Sequence, residues 1–117
     1  MQNIDIEYIT GNRISERKLE ELFVDEGEIF TLQDEDAEEL IARIGKVIEA
    51  ASSLVNGYCQ ARYSEVMPFS PVPGLVKELT LDIFELKAYA RRGMVAEEVQ
   101  TRHDNALKIL KNIADGT

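Results

Sequence analysis

A chain of 117 residues that is 44% apolar and 30% charged, with no Trp, has the composition of one globular domain and lacks the low-complexity signatures of collagen, linkers or mucins. One cysteine, Cys59, and one histidine, His103, exclude an intramolecular disulfide and a Cys/His zinc site, and a reducing, intracellular setting fits best. The net charge of -9 lies in the first third: residues 1–39 hold 13 Asp/Glu against 3 Lys/Arg, or -10, and residues 40–117 hold 9 against 10, or +1, so no basic patch for nucleic acid is expected.

The acidic third reads as a solvated face or as a surface that docks a basic partner or lines a passage closed to DNA. No basic segment precedes an apolar run at the N-terminus, and no window of about 18 apolar residues occurs, so a soluble protein without a membrane span is expected. Residues 1–117 read as a single helical domain, with residues 1–14 left free to be flexible.

Ile4, Ile6 and Tyr8 alternate in a short apolar piece, after which Ser15 or Thr10 offers an N-cap for a helix near residues 15–24 carrying Leu19, Leu22 and Phe23. Gly27 breaks the pattern. Thr31 with Asp34 has the capping-box spacing, and a long helix is expected from about Asp34 to Tyr63, roughly 45 Å at about 1.5 Å per residue. Its apolar positions follow a seven-residue repeat: Leu40, Val47 and Leu54 form one row, and Ile41, Ile48 and Val55 the next. Gly45 and Gly57 each weaken it by about 1 kcal/mol relative to Ala, so a bend near Asn56-Gly57 is one expectation. Packing within the chain is favoured over a coiled coil.

The next stretch, "RYSEVMPFSPVPG", contains all three prolines. A proline inside a helix removes a hydrogen bond and clashes with the preceding turn, whereas in a first turn it costs little. Pro68 and Pro71 therefore end the long helix, and Pro73 suits the first turn of another. Residues before proline are driven to extended geometry, which makes the stretch a stiff strap. Met67, Phe69 and Val72 are then free to lie on the bundle or on a neighbour.

"GLVKELTLDIFELKAYARRG" places Leu75, Leu79, Ile83, Leu86 and Ala90 on one face and Val76, Phe84 and Ala88 near another, the pattern of a central helix. Asp82 stands among these apolar residues, so if buried it needs a partner; Arg62, Arg91, Arg92 and the Tyr63 hydroxyl are candidates, with Arg62 preferred. A last amphipathic helix carries Val95, Val99, Ala106, Leu110 and Ile113 and stops at Gly116. The expected fold is all-α: a helical bundle with one short N-terminal helix, one long helix and a C-terminal helical hairpin.

No catalytic constellation is found. Cys59 lies in an apolar helical pattern where a buried, inert thiol is the usual outcome. Glu97, Glu98 and the acids from Asp34 to Glu39 suit helix starts. No enzyme activity, cofactor or metal is expected.

The segments from Ala50 to Gly93 and from Val99 to Gly116 resemble the Mu-like prophage family of small proteins encoded among head and tail morphogenesis genes, a family of formally unknown function. The resemblance rests on Tyr58, Arg62, Tyr63, Pro71, Pro73, Asp82, Tyr89, Arg91 and Arg92, with "YIT" at Tyr8 to Thr10. His103 and Cys59 stand where the family usually has Tyr and Leu. The resemblance implies a virion-assembly protein of the head-completion or head-tail connector type, a ring of identical subunits that meets portal and tail or neck proteins and is able to remain a monomer when isolated. Its setting would be the host cytoplasm during assembly and then the virion neck. In a ring, the strap at Met67 and Phe69 and the Arg91-Arg92 pair are expected to meet a neighbour's N-terminal region or long helix. The competing expectation is a small acidic helical adaptor that binds a basic protein.

Overall fold

Side-chain caps start the first two helices. Asp5 accepts the Tyr8 amide at 2.8 Å and opens α1 (Ile6–Asn12), and Ser15 accepts the Lys18 amide at 3.1 Å and opens α2 (Glu16–Phe23). The segment read as an alternating apolar piece is thus a helix. Its β-branched residues and Gly11 disfavour one locally, but the cap and the burial of Ile4, Ile9 and Ile14 prevail. Residues 1–14, left free to be flexible by their sequence, supply these three core side chains among the described residues. The computed structural model describes residues 2–25, 32 and 37–116. The expected break at Gly27, the Thr31–Asp34 capping box and a helix start at Asp34 lie outside them.

The long helix α3 runs without interruption over Glu38–Tyr63, so Asn56-Gly57 does not break it. Its buried positions are Leu40, Ile44, Ile48, Ala51, Ser52, Val55 and Cys59, a single stripe at three- and four-residue spacing. The seven-residue rows overstate that stripe, since Ile41 and Leu54 are 45% and 37% exposed. After a 3-10 turn at Ser64–Val66 comes the proline strap. Met67 is extended, as the following proline demands, and Met67, Phe69 and Val72 lie half-buried on this chain's own core.

Pro73 is the N-cap of α4 (Gly74–Ala90), one position ahead of the first turn. Helix α4 buries Val76, Leu79, Leu81, Ile83, Phe84 and Ala88, which go nearly all round it, and is the central helix the pattern predicts. Leu75, assigned to a core row, is exposed instead. A turn with Gly93 at φ 70° leads to α5 (Glu97–Asp115), which buries Val99, Ala106 and Leu110 and ends at Gly116 in the left-handed region. Helices α3, α4 and α5 pack pairwise, α2 lies against α3 and α4, and the described residues form an all-α bundle. Among them no helix is long and apolar enough to cross a membrane.

The aromatic centre of the core is Phe23 of α2 stacked on Phe84 of α4, with ring centroids 6.0 Å apart and both side chains fully buried. Phe84→Ala should cost about 3 to 5 kcal/mol of unfolding free energy, while Leu54→Ala on the outer side of α3 should change it by less than about 1 kcal/mol. Urea unfolding followed by circular dichroism checks both.

Candidate functional site

Three features gather most of the polar and exposed apolar side chains singled out by the sequence. The first is a charged clasp on α4. Asp82 is paired, but its partner is Arg13, at 2.9 Å, and not Arg62, Arg91, Arg92 or Tyr63. Arg62 lies beside the strap, whereas Asp82 sits eight residues into α4, about 12 Å along the axis. Arg13, the C-cap of α1, instead reaches over the middle of α4.

The same guanidinium meets Glu85 at 3.0 Å and Glu78 at 3.3 Å. Glu85 is the more deeply buried acid, with its side chain 4% exposed against 18% for Asp82. From α5, Arg102 grips both Glu85 oxygens, at 3.0 and 3.2 Å. Bidentate guanidinium pairing of this kind is what lets a carboxylate remain charged inside a core. Tyr8 donates its hydroxyl to Glu78 at 2.8 Å, and burial, followed by that bond, pushes its phenol pKa up. Burial raises the Asp82 carboxyl above its ordinary 3.8, outweighing the lowering by Arg13, and the charges of Glu78 and Glu85 add to the rise. Glu85 stands in the same "LTLDIFEL" run as Asp82 and was not singled out, because spacing alone cannot tell which of two acids on a buried helix faces inward.

The second feature is an arginine cap on the C-terminal end of α2. The last carbonyls of a helix have no partner within it. Here Arg92 donates to Glu21 O at 3.1 Å and also to Val24 O, Arg91 donates to Leu22 O at 2.7 Å, and Arg43 donates to Phe23 O at 3.2 Å. Asp25 lies within 4 Å of all three guanidiniums, and Arg91 also stacks over Phe23 at 4.8 Å. The Arg91-Arg92 pair expected to reach a neighbour is therefore engaged within its own chain. It stabilises the negative end of α2.

The third is an apolar groove of about 490 Å³ at the strap end, lined by Cys59, Tyr63, Val66, Phe69, Pro71, Pro73, Leu75, Val76 and Ile113. Tyr63, Pro71, Pro73 and Phe69 thus come together, with Phe69 and Met67 turned onto the core and Tyr63, Val66 and Leu75 standing exposed. Cys59 is buried at its floor, and burial raises its thiol pKa. A more open hollow of about 610 Å³ with polar walls lies beside α1 at Gln2, Asn3, Tyr8 and Lys77.

Small size, an all-α bundle and an apolar groove define a helical protein whose ionic groups chiefly fasten its own helices. Residues 10–117 match the family described as Bacteriophage Mu, Gp36, and the chain belongs to that family. It is a Mu-like phage protein, as the resemblance implied. No curated protein and no solved structure matches the chain.

Arg13→Ala leaves Asp82 without its cation and Glu85 with Arg102 alone, and should cost about 2 to 4 kcal/mol at neutral pH. A carboxyl whose folded value is raised contributes stability that is present below its ordinary value and lost as pH rises through the folded one. Removing Arg13 raises that folded value further, so the Arg13→Ala penalty should shrink as pH falls through the carboxylate range. Unfolding of wild type and variant over a pH series checks the sign.

Proposed function

We propose that the protein is a head-completion or neck subunit, a head-tail connector that acts as a ring adaptor between portal and tail. The observation that carries this reading is the exposed apolar groove at the strap end of a Mu-family protein. A pocket ringed by Tyr63, Val66 and Leu75 has the make-up of a docking centre, where an aromatic residue and desolvated aliphatic side chains supply most of the binding energy. The role needs no catalytic step and no cofactor. The subunit meets its copies, the portal and the tail or neck proteins during assembly in the host cytoplasm, and stays in the virion neck.

Because Met67 and Phe69 also serve the core, the docking function falls to the groove's exposed rim. Val66→Asp with Leu75→Asp should leave the unfolding midpoint close to that of wild type, since both side chains are exposed. The same double variant should abolish the joining of filled heads to tails in a phage-production assay read by electron microscopy. Normal virion yield from a folded double variant would overturn the docking role of the groove, and infectious particles after deletion of the gene would overturn the connector role.

A further inference from the structure

The groove has a counterpart at the other end of the same molecule. Helices α4 and α5 run antiparallel from the strap to the turn that joins them, and the 17 residues of α4 separate the two ends by about 25 Å. At that turn stand Met94, 70% exposed and the most exposed large apolar side chain among the described residues, and Val95 beside it. Arg91 and Arg92 are held by α2 and Asp25. Glu97 and Glu98 at the start of α5 are exposed and have no ionic partner among the described residues. At the strap end, Arg62 has no ionic partner among the described residues either, and its guanidinium lies against Gly116 beside the groove.

From this we infer that the groove receives the Met94-Val95 tip of a second copy of this chain, with Glu97 or Glu98 of one copy facing Arg62 of the next. An unbranched, flexible methionine suits an irregular apolar hollow, and the hollow is large enough for one such side chain and its neighbour. The charge pairing sets the register: the tip's two carboxylates approach on the side where the Arg62 guanidinium lies against Gly116. Tip and groove are unlike surfaces at opposite ends, so the contact is heterologous and repeats from copy to copy, closing a ring when the rotation between subunits permits. The inference rests on the connector reading for its biological role, but the contact itself is a property of the isolated chain.

The test uses the 117-residue chain with Cys59→Ala as background and two single-cysteine variants, Met94→Cys and Leu75→Cys, carrying tags of different mass. Mixed in equal amounts and oxidised, they should give the mixed 94–75 dimer at several times the combined yield of the two homodimers, where random pairing would make the two equal. Arg62→Glu should lower that yield several-fold, and Arg62→Lys should retain it. A statistical mixture, or dominance of the 94–94 or 75–75 dimer, overturns the inference. If the gene is required to join heads to tails and the mixture is statistical, the tip-in-groove contact falls and the connector reading stands. If the mixed dimer dominates but gene deletion leaves infectious particles, the contact stands and the connector reading falls.

Discussion

A carboxylate buried in a helix that is packed on nearly every side has to be neutralised where it stands, and Glu85 imposes that demand on this fold. Taking the charge out of water costs several kcal/mol, recovered only when opposite charge and hydrogen bonds arrive with good geometry. The two cations come from different parts of the chain, Arg13 from the corner between α1 and α2 and Arg102 from α5. One acid on the central helix thereby ties the N-terminal arm and the last helix to it. Asn3 reinforces the arm through its amide to Ser52 and its side chain to Asn56 and Thr80. Leaving any of these groups unpaired costs more than the bond itself contributes, so the network specifies the arm's position.

The same logic holds at the end of α2. Its short length leaves a large share of its carbonyls without partners, and three guanidiniums from α3 and the end of α4 supply donors. The cap turns an eight-residue helix, marginal alone, into a fixed part of the bundle. It also explains why Arg91-Arg92 is turned inward. With the arginines committed at that end and the strap's larger apolar side chains half-buried, the groove rim, the Met94 tip and Ile109 of α5 remain as exposed apolar surface on and around the α4–α5 hairpin.

Much of the helical layout was legible because it is local. Ser15, the proline strap and Gly116 mark boundaries by steric and capping rules that need no tertiary information, and they fall where expected. The central position of α4 followed from apolar residues nearly all round it. What could not be read was which distant groups meet. Asp82 was singled out as an acid that needs a partner if buried, but Arg13 lies 69 residues away, and nothing in the local pattern distinguishes it from Arg62. The short helix α1 was missed because Ile, Thr and Gly disfavour helix, and the Asp5 cap together with the burial of Ile9 in the core overrides them. Ile41 and Leu54 satisfy a seven-residue repeat, yet a straight helix keeps a narrower face toward its neighbours. Of the candidate site, the strap prolines, Tyr63 and Phe69 were legible as a group through their closeness in sequence. The groove itself was not, because Ile113 and Cys59 reach it from separate helices.

The central claim is that the arm formed by α1 and α2 is pinned to the hairpin as one cooperative unit, leaving the two ends of the hairpin free to meet other surfaces. Native-state hydrogen exchange of individual amides tests this most directly, since protection reports the free energy of local opening. The account predicts that arm amides bonded within the helices, such as Arg13 and Val24, open with free energies close to those of Val55 in α3 and Ile83 in α4. Exchange of the arm amides near the unprotected rate, with α3 to α5 still protected, would contradict it.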